Sequence, residues 1–420
     1  MVGRGTLLVI LGYTILFALT GKYWSRVSSN SVDNFLQYYD ETTAHSIAIS
    51  AANLGGSRVF LNQPSSKSFQ LSGSVSGGTY NVRVDSVGSY HLLLTATGTY
   101  PPAGTNGSVT DTVKVEFGPN YFSTFGLYTG TMNNLSWDSG DTIWGSFHSE
   151  GTFNVEGTPV FYGKVTSKND ITGGGTPIIY GPYLSGVSIS MPASGVSNVQ
   201  AAATAGGKVI NNPSSPAPFD VYMTLNSNAT VTFHTNMHPV DTTISLSSFA
   251  PNGVIFVNNG NLHVQGTVNG QMTVAAGGSS FTGFGNIYIS GNVSCSSDPR
   301  TNPGSSDLIG IVAQNNVLVE SNNAYLGISP SYPPVNPLIE AAIYAQNGTF
   351  QCYYDARTSY TNLGSVHVYG SISNSYLGVT SDPTGTYGYD PDYRFDPRFS
   401  SVGPPYYPVT GTFSVLSWYE

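Results

Sequence analysis

The chain has 420 residues, enough for two or three domains and a sizeable core. Only 9% of them are charged, against about 25% in an ordinary soluble domain, and the 14 Lys and Arg form no cluster in a chain of net charge −9. That excludes a nucleic-acid binder, which needs a basic stripe to displace counterions, and a content of 40% hydrophobic and 12% aromatic residues excludes a disordered tail. The 49 Gly, 25 Pro and 28 Tyr, set among Ser, Thr and Asn, point to an exported β-rich protein made soluble by hydroxyls and amides, in an extracellular setting.

Residues 6–21 (TLLVILGYTILFALTG) carry no charge, with Arg4 before them and Lys22, Tyr23, Trp24 and Arg26 after. As helix this stretch spans roughly 24 Å, and counting on to Trp24 brings it near the ~30 Å of a hydrocarbon core, with Tyr23 and Trp24 at the interface. A cleaved secretory signal wants a small-x-small site, which Leu19-Thr20-Gly21-Lys22 does not supply. A plain anchor needs nothing further, yet Trp24, Val27, Val32, Phe35, Leu36, Tyr39, Ala44, Ile47, Ala48 and Ala52 recur at three- and four-residue steps, with no Pro and, after Gly21, no Gly before Gly55. The pattern predicts one helix of roughly 45 to 50 residues, about 70 Å long, within residues 1–57. Its first half is suited to packing on copies of itself, through Leu7, Leu8, Ile10, Leu11, Ile15, Leu16, Phe17, Leu19, Trp24, Val27 and Phe35. Its second half is expected to lie under the chain's own globular part.

This start, with the stretch VDNFLQYYDETTAHSIAISAANLGG, resembles type IV pilins and the pseudopilins of secretion systems over about the first 55 residues. The resemblance implies a homopolymeric filament, insertion in the inner membrane before assembly, a pilus-type assembly machinery and processing between Gly5 and Thr6. The sequence departs from the family in one respect. Cutting after Gly5 puts Ile10 where those families carry a Glu that pairs with a neighbour's N-terminal amine, and no acidic residue occurs before Asp33.

From Arg58 the pattern turns to alternation. TYNVRVDS, SYHLLLTATGTY and DTVKVEFG predict three strands of a small antiparallel sheet in residues 58–118, packed on the helix as in a pilin-like head. The expected class is thus α+β for this part, followed by an all-β, β-solenoid-like part in residues 119–420.

The latter rests on a seven-residue pattern at 151–157 (GTFNVEG), 260–266 (GNLHVQG), 285–291 (GNIYISG) and 364–370 (GSVHVYG). Its bounding glycines, Gly151, Gly157, Gly260, Gly266, Gly285, Gly291, Gly364 and Gly370, are expected at coil corners. LIGIVAQNNVLVES and LIEAAIYAQNGTFQ are similar at a 32-residue offset, which puts Asn315 and Asn347 in one amide ladder. A solenoid fits these features, and an irregular β-sandwich with Gly-rich loops is the alternative. GDTIWGSFHSEGTFNVEGTPVFYGKVTS and PPYYPVTGTFSVLSWYE resemble an uncharacterised family of exported bacterial proteins that joins a pilin-like N-terminus to a Gly-rich β-solenoid. In that arrangement residues 390–420 cap the open end.

Candidate chemistry is sparse. Cys295 and Cys352, the two cysteines of an exported chain, are expected to form a disulfide between neighbouring coils. His234 and His238 form HxxxH, but TVTFHTNMHPVD reads as strand and turn, which argues against a metal site. His263 and His367 read as equivalent strand-surface residues. Asp390, Asp392 and Asp396 alternate with Arg394 and Arg398, which favours ion pairing over calcium. No paired carboxylates suggest a lyase or hydrolase, and no cofactor is expected. Asn106, Asn134, Asn228, Asn292 and Asn347 stand in Asn-x-Ser/Thr sequons open to surface glycans. The leading expectation is a non-enzymatic structural subunit of a surface filament, with copies of itself as partner and a surface or glycan as a further ligand. A non-polymerising anchored adhesin or pilus-tip subunit, and a carbohydrate-active β-helix enzyme, are the rivals.

Overall fold

The computed structural model describes residues 3–61, 68–88, 91–102, 107–132, 134–213, 217–278, 283–320, 335–352, 362–381 and 388–420. It comprises two compact units, Met1–Pro119 with Gly411–Glu420, and Asn120–Thr410.

The first unit is built on α1 (Gly3–Leu61), 59 residues and about 90 Å of uninterrupted helix. From Ala44 its buried side chains are Ala44, Ile47, Ala48, Ala51, Ala52, Gly55, Gly56 and Val59, a stripe of mostly small residues that lets the helix backbone come close to a sheet. That sheet runs β1 (Phe69–Val75), β2 (Gly78–Gly88), β3 (His91–Tyr100) and β4 (Val109–Tyr121) as an antiparallel meander. Alternation in β3 turns Leu92, Leu94 and Ala96 onto the helix, beside Val82, Val84, Val113, Val115 and Phe117.

The sheet has five strands where the sequence predicts three. β1 is mostly exposed and its alternation is weak. The fifth, Val409–Tyr419, lies next to β4, and its Phe413 enters the same core. The expectation that this C-terminal segment caps the all-β part is therefore corrected: Ser417 donates a hydrogen bond to Glu116, and Leu416 sits under Gly118.

At Gly98 the helix and sheet nearly touch, and a Cβ there would overlap the Ala44 carbonyl oxygen and the Ala48 nitrogen. These are backbone atoms that no rotamer change can move. Gly98→Ala is expected to cost about 1–3 kcal/mol and to lower the melting temperature of the first unit, followed by circular dichroism of the full chain in detergent. An unchanged melt would refute this contact.

The second unit is largely β, a curled sheet whose strands are mostly parallel. In one ladder a single inward position is filled by Ile255, Val274, Ile311, Ile343, Ile372, Leu127, Phe147 and Val165 in successive strands, all buried. Chain order and spatial order differ. The strand Asn362–Tyr376 pairs with Leu127–Thr131, so the first part of the unit continues the stack that its last part builds.

The outer face of this ladder is also covered, by α2 (Gly195–Gly206) through Val196, Val199, Ala202 and Ala203, and by Phe122, Tyr344 and Tyr407. Strands buried on both faces read as continuous apolar runs such as LIGIVA and AIYA, with no alternation to find.

A second ladder aligns DVYM (220–223), NLHV (261–264), NIYI (286–289), NVLV (316–319) and TFQC (349–352). The first position of each forms a polar chain. Asn261 donates to Asp220, the backbone and side-chain amides of Asn286 donate to Asn261 Oδ1 at 3.2 and 3.3 Å, those of Asn316 to Asn286 Oδ1 at 3.2 Å, and the Thr349 amide to Asn316. The amide ladder thus runs through Asn261, Asn286 and Asn316 to Thr349, one residue past the expected Asn315 and two past the expected Asn347. Asn315 turns instead to the Phe284 carbonyl.

The eight candidate corner glycines divide. Gly266, Gly285 and Gly364 have positive φ, as a corner requires, whereas Gly151, Gly157, Gly260, Gly291 and Gly370 do not. These five are places of close approach instead. A Cβ at Gly370, for example, would overlap the Ala341 carbonyl. Nor do the four heptads share one register: 262–264 align with 287–289 before a bulge sets Gly266 opposite Val293, whereas His367 pairs with Leu338 and Asp392 in another column.

Residues 137–184 carry a repeat that the glycine pattern conceals. GTPVFYG at 157–163 recurs as GTPIIYG at 175–181, and bonds such as Asn169 to the Gly151 carbonyl cross 18 residues. Trp137 pairs with Val155, Phe153 with Ile171, Ile143 with Phe161, and Phe161 with Ile179.

Replacing Asn286 by Ala would strip partners from two neighbouring rungs at once. A loss of about 1–3 kcal/mol is expected, read as a lower unfolding midpoint in urea, and Asn315→Ala is expected to cost less.

Candidate functional site

The residues nominated for assembly lie together on the solvent-exposed part of α1. Leu7, Leu8, Ile10, Leu11, Ile15, Leu16, Phe17, Leu19, Trp24, Val27 and Phe35 are all exposed, Phe17 at 72%. The most apolar 18-residue window of α1 has a mean hydropathy of 1.6, and none of it is buried. A helix of this length and composition is a candidate membrane anchor or signal sequence. Its hydroxyls suit an apolar surround, because Thr14 donates to the Ile10 and Leu11 carbonyls and Thr20 to the Leu16 carbonyl. Gly5 and Thr6 lie in the first turns of the same helix.

Two charged clusters are better ordered than the sequence suggests. His263, expected on the strand surface, is only 2% exposed and lies between the rings of Tyr222 and Tyr288, each centroid 4.6 Å away. Its Nδ1 is 2.6 Å from Glu320 Oε1, and its Nε2 is 3.7 Å from Asp220 Oδ1. Burial alone would push the imidazole down, but the two carboxylates outweigh it and hold His263 above the usual histidine range. Asp220 is held below the usual carboxylate range, because His263 outweighs the opposing effect of burial. The cluster ties three rungs together, with His263 and Glu320 buried and Asp220 partly exposed.

Glu150 anchors the segment that follows the 18-residue repeats. Ser188 Oγ and the Ile189 amide both donate to it at 2.6 Å, and Lys168 lies 3.1 Å away. Burial would raise this carboxyl, but these donors and His148 bring it down to about 2.

The remaining candidates are dispersed. No disulfide joins Cys295 and Cys352, which corrects the expectation. Cys352 stacks on Val319 and Val319 on Ile289, whereas Cys295 lies six residues past Ile289 on the same strand. Two rungs alone separate the columns by about 10 Å, past the roughly 4.4–6.8 Å between Cα atoms that a disulfide allows. Burial first, and then Glu340, pushes the Cys295 thiol up to about 12, which leaves it inert.

His234 bonds Asp241 across a hairpin and stacks on Tyr222, while His238 lies beyond the turn. Among the described residues no group of three His, Cys, Asp or Glu is placed to hold a metal. Asp392 pairs with His367 and Arg394, and Asp396 with Arg398, so both carboxylates are engaged in ion pairs. The sequon at Asn106 lies outside the described residues.

The Asp220–His263–Glu320 cluster was missed because its members are 57 and 43 residues apart in sequence and meet only through the ladder register. The usable signal was the aromatic or His at the third position of DVYM, NLHV and NIYI. No protein-family model matches the chain, and comparison with curated proteins and with solved structures found no match either.

A histidine raised on folding stabilises the fold below its unfolded value of about 6.5 and loses that effect as pH rises through the folded value. The lowered Asp220 stabilises above about pH 4 and loses its effect as pH falls through its folded value. The melting-temperature difference between the natural chain and His263→Gln is therefore expected to be largest between about pH 4 and 6.5, and to shrink at alkaline pH. A difference that stays flat from pH 5 to 9 would show that the imidazole is not protonated.

Proposed function

We propose that the chain is a structural subunit of an extracellular, pilus-like filament. It inserts through α1 into the inner membrane, is taken up by a pilus-type assembly machinery, and packs against its own copies with the second unit displayed outside. The observation that carries this reading is a second apolar face. Beyond Lys22 and Arg26 the helix has run past the length that hydrocarbon covers, yet Val27, Val32, Phe35, Leu36 and Tyr39 are exposed. At about 100° per residue they gather with Trp24 on one side, roughly opposite the stripe that the sheet buries from Ala44 to Val59. The expectation that the unit's own globular part covers the second half of the helix therefore holds only from residue 44 on. Lipid does not reach the face between 24 and 39, and the helix of a neighbouring copy fits it. Six such side chains contribute on the order of 10 kcal/mol gross, of which part offsets the entropy of association.

The finer architecture we read for the second unit is a β-solenoid. Its in-register parallel columns, the Asn261–Asn286–Asn316 ladder and the 18-residue coils favour that over a sandwich. Enzymatic activity forms no part of the reading, since the most ordered imidazole–carboxylate cluster is buried. A second reading, a non-polymerising anchored subunit, draws on Ile10, which stands where pilin-like families place their pairing Glu.

Electron microscopy of sheared surface material is expected to show filaments of the natural chain. Phe35→Glu combined with Leu36→Glu is expected to abolish them while the protein stays in the membrane fraction with an unaltered melt. Monomers or detergent micelles alone from the natural chain would overturn the filament and leave the anchored subunit.

A further inference from the structure

The 18-residue coils place Trp144, Tyr162 and Tyr180 in one column of the second unit. Their rings are stacked, Trp144 on Tyr162 at 4.1 Å and Tyr162 on Tyr180 at 5.1 Å, each pair within 10° of parallel. On the other face of Trp144 lies the Arg394 guanidinium, 4.3 Å from the ring centroid and itself held by Asp392. Both faces of Trp144 are thus occupied, and only its edge is left to a ligand. That edge and Tyr162 border a cleft of about 360 Å³ completed by Asp141, Thr142, Asp392 and Arg394, with Trp137 also lining it.

The cleft is dense in hydrogen-bonding groups of both kinds. Among the lining residues the Asp141 and Asp392 carboxylates can accept and the Arg394 guanidinium and Tyr162 hydroxyl can donate, while the Thr142 hydroxyl already donates to the Gly140 carbonyl. A further observation points to a polar ligand. Burial raises the Asp141 carboxyl above its usual range, so this group has already lost part of its hydration and gives up less on meeting a hydroxyl. The stacked rings form a wall with few rotamers left to freeze, which lowers the entropic cost of binding.

We infer that this cleft binds a neutral saccharide, one or two sugar rings at a time. A volume near 360 Å³ lies at the lower end of the roughly 300–1,000 Å³ of small-ligand sites. Two carboxylates against one guanidinium disfavour phosphates and uronic acids. The guanidinium in turn disfavours metal cations, and both faces of Trp144 and of Tyr162, the two stacked rings that border the cleft, are taken, so a nucleobase there finds neither to stack on. A ring of hydroxyls, each both donor and acceptor, matches what remains. The site does not depend on whether the helices polymerise, so loss of filaments and loss of sugar binding are separate outcomes.

The test uses the full chain in detergent, titrated with cellohexaose, maltohexaose, xylohexaose and mannohexaose by calorimetry and tryptophan fluorescence, with oligogalacturonate as the acidic probe. Saturable binding of at least one neutral hexaose is expected, weakened at least tenfold in Asp141→Asn and in Trp144→Ala. Asp141→Asn preserves shape, so its melt should match that of the natural chain and keep the result interpretable if Trp144→Ala folds poorly. The inference is overturned if none of the four neutral sugars binds, if oligogalacturonate binds more tightly than all of them, or if Asp141→Asn binds within twofold of the natural chain.

Discussion

Strands that stack parallel and in register put each side chain about 4.8 Å from its equivalents in the rungs above and below. Like charges at that distance repel, while amides bond, rings stack and aliphatics pack. This constraint accounts for the charge deficit of the second unit. Its columns are filled by Asn261, Asn286 and Asn316, by Tyr222, His263 and Tyr288, by Trp144, Tyr162 and Tyr180, and by an inward run of Ile, Val, Leu and Phe. In two places the register brings opposite charges together. Asp392 meets His367 in the next strand, and His263 meets Glu320 from two rungs further on and Asp220 from the rung before. Ordinary globular domains place charge freely because neighbouring surface residues differ, but a stacked column repeats its neighbours.

The first unit is governed by a different limit, the distance of closest approach between a helix and a sheet. The small stripe from Ala44 to Val59 and the bare backbone at Gly98 allow contact at backbone range. Upstream of Ala44 the apolar residues move around the helix, away from that stripe and into solvent. One helix therefore carries two apolar surfaces of different kinds, a small-residue one used within the unit and a bulky one of Trp24, Val27, Phe35 and Leu36 that the unit leaves uncovered.

Legibility in the sequence followed the range of the interactions. The long helix was plain, because its spacing is local, and it runs nine residues past Ala52 to Leu61. β2, β3 and β4 were found by alternation, since one face of each meets the helix. The strand Val409–Tyr419 was not, because its place beside β4 depends on a pairing of residues some 300 apart. In the second unit the glycines drew attention to corners, although five of the eight serve close approach. The repeats that set the register, GTPVFYG with GTPIIYG and the D/N/T-apolar-x-apolar series, are carried by side chains whose likeness is one of shape and hydrogen bonding. The helix surface was legible in full, whereas the Asp220–His263–Glu320 cluster and the aromatic wall were not, since both exist only once the parallel strands have paired.

The same stacking explains why the intervals between repeats looked irregular. The unit begins in the middle of its own ladder: Leu127–Thr131 pairs with Asn362–Tyr376, the chain runs on through 18-residue repeats to Tyr183, and it then reaches the far end at Lys208 by way of α2 before returning strand by strand. Repeats of different length thus meet in one continuous ladder, which tolerates the mismatch because each strand has to match only the strands it pairs with. The joint between Ile372 and Leu127 closes a loop of about 245 residues, and the entropy of that closure is met only after the rungs on either side can offer a preformed edge. Phe122 packs across the joint on Tyr128 and Tyr344, and its carbonyl accepts from Ser373. The contact that joins the two parts of the stack is therefore the one most dependent on the rest having formed, and the dense aromatic packing around Phe122 lies where the ladder has least help from sequence neighbours.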